Sequence, residues 1–224
     1  MEALHRAGTA SGPGAIATIR PMPSQAERSA STRQSLIDAA ATLLIDQGYA
    51  AFSEARVCEL AGTSRGSLRH HFPEGRYDLL PAMLDSLLER EAARLAALGP
   101  LSPSLRLHLM LHVLASRPQR HASLAILEVW MATRGDVRLA RAVQAPLAAV
   151  PQRLFGQPPD AAPQPEWLAL RCFLHGATLH SFAPDYDAQQ LSEAVRWLIA
   201  QLPRPDGLDT LLARMLAQPR QPVR

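Results

Sequence analysis

The sequence predicts an all-α protein: a small three-helix module near the amino terminus, followed by a larger helical domain. Three observations carry that expectation. Apolar residues recur at intervals of three and four, as in Leu36, Ile37, Ala40, Leu43 and Leu44, which marks one face of a helix and not the alternation of a strand. The runs are separated by short breaks rich in Gly, Pro and Ser. Between Phe52 and Phe72 the stretch FSEARVCELAGTSRGSLRHHF holds two helix starts with a glycine between them. The chain has 224 residues, 47% of them hydrophobic, enough for a module of about fifty residues and one larger core.

Residues 1–30 are rich in Ala, Gly, Pro and Ser without helical period and read as a disordered arm carrying Arg6, Arg20 and Arg28. The first helix is expected to open at Ser31, three residues before Gln34, as a capping box, and to end near Gly48. Ser53 caps the second helix, with Glu54 in its first turn and Phe52 and Val57 spaced as a hydrophobic staple. Gly62 ends that helix in the left-handed conformation, and Ser64 caps the third. The third helix presents Arg65, Gly66, Ser67, Arg69, His70 and His71, leaving Leu68 and Phe72 for the core. A short helix this polar gains little from burial, so its exposed face is built to touch something.

These residues resemble the amino-terminal domain of TetR/AcrR transcriptional regulators. The resemblance extends back through TRQSLIDAAATLLIDQGY and forward through FPEGRYDLL, with Ala-Ala, Gly-Tyr, Ala-Gly-x-Ser and His-Phe in order. It implies a helix-turn-helix over 31–76 that binds double-stranded operator DNA, with Ser53, Ser64, Arg65, Gly66, Ser67, Arg69, His70 and His71 on the reading side. Two positions depart from the pattern. Arg69 stands where the family usually has Tyr, and Glu54 where it has an aliphatic residue.

Residues 77–218 are expected to form a ligand-binding and dimerisation domain, with 219–224 as a tail. A long helix runs from the Pro-Glu-Gly turn to about Leu98, with Asp78 as its cap because Pro81 belongs in a first turn. The helix from Ser104 to Ser116 is apolar apart from His108 and His112, an i, i+4 pair that is either pocket-lining or half of a metal site. Helices over 119–133 and 136–154 follow, with Trp130 and Arg134 near their turn, and 156–165 reads as an extended linker. Arg171 and His175 then interrupt an apolar helix. A buried Arg171 needs a protein carboxylate or an anionic or carbonyl ligand. His108, His112, Trp130, Arg134, Arg171 and His175 are thus the candidate effector contacts, for a mainly hydrophobic small molecule held by a few hydrogen bonds or by an acidic group. The resemblance implies a homodimer formed by the last long helices, for which Gly176, Ala177, Leu191, Val195 and Leu198 are candidates.

Composition adds boundaries. The formal charge is +3, and all 23 basic residues are arginine, compatible with a polyanion partner only when joined to a motif. Cys58 and Cys172 have no zinc or redox spacing, and a reducing cytoplasm fits them. No signal-peptide core or membrane-spanning run is present. No phosphate loop, catalytic triad or paired carboxylates appear, so neither an enzyme nor a resident cofactor or metal is expected. A helical enzyme and a DNA-independent interaction protein are the alternatives.

Overall fold

The computed structural model describes residues 24–116, 122–158 and 165–217, and every regular element among them is helical. Arg6, Arg20, the 219–224 tail and most of the 156–165 linker lie outside the described residues. The elements are α1 (Gln25–Gln47), α2 (Glu54–Leu60), α3 (Arg65–His71), α4 (Arg76–Ala97), α5 (Pro103–Ser116), α6 (Ala122–Ala132), α7 (Val137–Ala142), α8 (Gln144–Phe155), α9 (Pro165–His180), α10 (Ala188–Gln201) and α11 (Leu208–Ala217).

Three boundaries differ from expectation. Helix α1 begins seven residues early, because Ser24 and Glu27 form their own capping box: Ser24 Oγ accepts from Glu27 N at 3.2 Å and Glu27 Oε2 accepts from Ser24 N at 2.6 Å. Arg28 therefore sits on a helix, not in an arm, and Ser31, expected as the cap, lies inside that helix, its carbonyl accepting from Ser35 Oγ at 3.0 Å. Helix α4 is capped by Gly75, not Asp78. Pro81 lies in its interior, and Asp78 accepts from the Glu74 amide at 2.7 Å. The single helix expected over 136–154 is divided at Val143 into α7 and α8. Pro146 explains the division: a continuous helix would need its missing N–H and would drive its ring into the Ala142 carbonyl.

One core runs from the small module into the larger domain. Leu36, Ile37, Leu44, Val57, Leu68, Phe72, Leu80 and Met83 pack together with Ala125 and Val129 of α6 and with Leu139 and Val143. A second core joins Leu107, Leu111 and Leu114 of α5 to Leu170 and Ala177 of α9 and Leu191 and Val195 of α10. Helix α5 is the central buried element its composition predicts, lying against α8, α10 and α11. The module is therefore seated on α6 and α7, so movement of those helices reaches it directly.

Candidate nucleic-acid interface

The helix-turn-helix follows its sequence signals closely. Ser53 Oγ accepts from Arg56 N at 3.3 Å, and Phe52 and Val57 are both buried. At the end of α2, Gly62 adopts φ +63° while its N–H reaches Glu59 O at 3.1 Å and the Thr63 N–H reaches Cys58 O at 2.9 Å. That pair of bonds is a Schellman close, and it turns the chain for α3. Ser64 Oγ accepts from Ser67 N at 3.1 Å, leaving each capping hydroxyl its own hydrogen to donate. Leu68 points into the core, whereas Arg65, Gly66, Arg69 and His70 are exposed and Ser67 and His71 half-buried. Burial, then His70 and Arg33, hold the His71 ring below the ordinary histidine value, favouring its neutral form.

The two unusual residues meet each other. Arg69 Nη2 donates to Glu54 Oε2 at 2.8 Å and Arg69 Nη1 to Pro73 O at 2.9 Å, while Glu54 Oε1 accepts from Arg76 N at 3.2 Å. The cation that replaces an aromatic residue is thus committed within the protein, and the carboxylate at an apolar position has its partner.

Later helices hold this module and the start of α4 at three further points. Glu128 of α6 accepts from the Tyr49 amide at 2.7 Å, and Asp136, the cap of α7, accepts from the Tyr77 hydroxyl at 3.2 Å. Arg138 lies over the Tyr77 ring, 4.1 Å from its centroid, and pairs with Glu74. Sequence reasoning missed all three. The signal for Glu128 was available: it is the one carboxylate in the apolar helix ASLAILEVWMA, and such a group requires a donor. Arg33, His71, Tyr77, Pro81 and Arg138 line an open cleft of about 530 Å³ at this junction, away from the expected effector residues.

The expected effector residues separate into two groups. His108 is buried, with Nε2 3.0 Å from Pro203 O, and His112 is half-buried one turn later. Trp130 and His175 meet at 5.2 Å between ring centroids, with Arg171 one turn before His175 on α9. Arg171 is half-buried and has no carboxylate partner among the described residues, so the ion-pair alternative finds no support there. Arg134 is exposed at the α6–α7 turn. No group of three or more metal-ligating side chains occurs among the described residues.

Burial comes first in lowering the His108, His112 and His175 pKa values below the ordinary 6.5, with Arg204, His108 and Arg171 respectively adding repulsion. The folded chain therefore holds these rings neutral, and the unfolded chain binds protons more readily. Their contribution to stability is complete above 6.5 and is lost as pH falls through that value toward the folded pKa values. The melting temperature should be lower at about pH 5.5 than at about pH 7.5, and His108→Gln should reduce the difference. Equal melting at both values would remove these rings from the stability of the fold.

Three of the expected dimer residues are corrected. Ala177, Leu191 and Val195 are buried within the protomer at 6%, 7% and 0% exposure, and Leu198 packs against the same cluster. Ala177, Leu191 and Val195 sit in the core that joins α5, α9 and α10 and present little surface to a partner, whereas Leu198 is half-buried. Gly176 is exposed, and a side chain there would meet nothing within 4 Å. It belongs to a stripe along α9, Leu168, Cys172, Gly176 and Leu179, that faces outward and continues to Phe182, with Trp197 of α10 also exposed.

A capped pair of short helices, the second presenting basic and polar groups from an apolar base, is the geometry of a helix-turn-helix DNA-binding module. Residues 36–83 match the family described as bacterial regulatory proteins, tetR family. The chain is also 45% identical over 80 residues to the HTH-type transcriptional regulator CymR of Pseudomonas putida, across 34% of this chain and 39% of that protein. It thus spans well under half the length of this curated relative. A TetR transcriptional regulator from Rhodococcus sp. RHA1 aligns over 84% of this chain and 100% of its own, at 16% identity and a TM-score of 0.46. One from Haloarcula marismortui aligns over 76% and 83%, at 23% identity and a TM-score of 0.44. Those whole-chain likenesses are loose, and the recognition rests on the amino-terminal match: residues 36–83 are those of a tetR-type DNA-binding domain. No described helix is long and apolar enough to cross a membrane.

Proposed function

We propose that the chain is a homodimeric, cytoplasmic repressor whose operator complex is released by a small molecule bound between α6 and α9. The observation that carries this reading is the bond from Glu128 to the Tyr49 amide, which spans 79 residues. It fastens the helix that bears Trp130 to the turn just before the DNA-reading pair. A ligand that moves Trp130 against His175 therefore pulls on the module itself. The chemistry of the α6–α9 group suits a mainly apolar molecule with an acidic or carbonyl group. Trp130 and Met131 supply apolar surface, and Arg171, which has no carboxylate partner among the described residues, supplies a fixed cation.

The mechanism is an equilibrium between spacings of the two recognition helices, only one of which fits half-sites about 34 to 36 Å apart. An effector that prefers the other spacing releases DNA, and operator DNA weakens the effector by the same factor. The test is Arg171→Met, which nearly preserves volume. Small aromatic and aliphatic carboxylic acids are titrated into the operator complex and release is followed by anisotropy. The wild type should respond to a member of that set. The variant should remain folded, dimeric and DNA-bound but unresponsive. A variant that responds like the wild type, or that melts markedly lower, would sink the ligand role of Arg171.

A further inference from the structure

Glu54 and Arg69 lie on different helices, fifteen residues apart, and Gly75 completes their arrangement. We propose that these three residues form a clasp that fixes the angle of the recognition helix α3 against α4, with Arg69 a positioning residue and not a phosphate contact. The proposal rests on the assignment of α3 as the DNA reader.

The geometry distributes the clasp over three elements. Glu54 is the first residue of α2, and one of its carboxylate oxygens takes the Arg76 amide, the first N–H of α4. That amide has no partner within its own helix, and the positive end of the α4 dipole favours the carboxylate there. The other oxygen takes Arg69 from the far end of α3, whose second terminal nitrogen is occupied by Pro73 O. The guanidinium fork thus spans the α3–α4 turn on one side and α2 on the other. Lysine, whose three N–H groups share one freely rotating nitrogen, cannot span two such separated acceptors in fixed directions. Gly75 makes room: a Cβ on it would stand 1.9 Å from Glu54 Oε1 and 3.1 Å from Arg69 Cζ, and its φ of +61° with ψ of −121° is a conformation side chains avoid.

Arg69 is 53% exposed and Glu54 23%, so solvent screens their attraction and the pair adds little to global stability. What it supplies is direction. The tip of α3 enters the groove, and a small tilt about its base moves Arg65 at the other end out of register with a base edge. Because Arg69 is spent on the clasp, the phosphate contacts fall to the remaining polar and basic groups of the module. The same clasp ties α3 to α4, whose Tyr77 is held by Asp136 and Arg138 of α7.

The test uses the full chain, an operator duplex and anisotropy titrations at several salt concentrations, with circular dichroism and sedimentation to verify fold and assembly. Arg69→Met and Glu54→Gln should each weaken operator binding about tenfold, the scale of losing hydrogen bonds to a charged group. The double variant should lose no more than either alone, and the slope of log affinity against log salt should match the wild type. Arg69→Lys, which keeps the charge, should fail like Arg69→Met. Three outcomes would overturn the clasp: near-wild-type binding by Arg69→Lys, additive losses in the double variant, or a salt slope reduced by about one in Arg69→Met while Glu54→Gln binds normally. The Arg69→Lys result applies even where a larger change disturbs folding. A wild-type chain with no operator preference would remove the DNA-reading assignment and the clasp with it. Operator preference with uncoupled variants would remove the clasp alone.

Discussion

Leu179→Glu should convert the protein to folded monomers and weaken operator binding by about 10²- to 10⁴-fold, the gain that a linked second site ordinarily supplies. The residue is 44% exposed in the protomer, so a charge there costs the isolated fold little. In a dimer joined along the α9 stripe the same charge would be buried without a partner, at a cost of several kcal/mol. Gly176 lies one turn before it with nothing above its Cα, which allows a second helix to approach closely. Leu168, Phe182 and Trp197 add exposed apolar surface on the same two helices and the turn between them. Sedimentation velocity and operator titration should change together. An intact dimer in sedimentation would place the interface elsewhere. Ala177→Glu is the uninformative counterpart, because that site is interior to the protomer and the variant would lose its own core.

The contrast between Gly176 and Ala177 shows where the sequence was legible. The apolar content of α9 and α10 marked them as packing helices, but it cannot say which partner covers an apolar face. Leu191 and Val195 turned out to meet α5 of the same chain, and a stripe in which Cys172 and Gly176 separate the leucines had too little apolar content to stand out. The helix-turn-helix was readable almost residue by residue because caps and the Schellman turn are local, written within four or five neighbours. Long-range polar contacts were not: Glu128 with Tyr49 and Arg138 with Glu74 are separated by 79 and 64 residues. The two departures at Glu54 and Arg69 looked unrelated for the same reason, and only the fold shows that each answers the other. At the start of α1 two capping boxes of equal spacing competed, and local pattern had no means of choosing the earlier one.

Arg65→Ala should relax base preference as well as weaken binding. Arg65 is the first residue of α3 and is exposed. A side chain there can place its guanidinium fork against the O6 and N7 edge of a guanine in the major groove. Such a pair contributes about 1 to 3 kcal/mol of discrimination, so the variant should lose about 10- to 100-fold on the operator and much less on a random duplex. The most direct test of the account is therefore a paired titration of wild type and Arg65→Ala against the chain's own upstream intergenic duplex and a scrambled duplex of equal length and salt. The wild type should prefer the upstream duplex strongly, with two protomers per site, and the preference should shrink in Arg65→Ala. Equal binding of both duplexes by the wild type would contradict sequence reading by α3, and with it the central claim that this chain is a DNA-directed regulator.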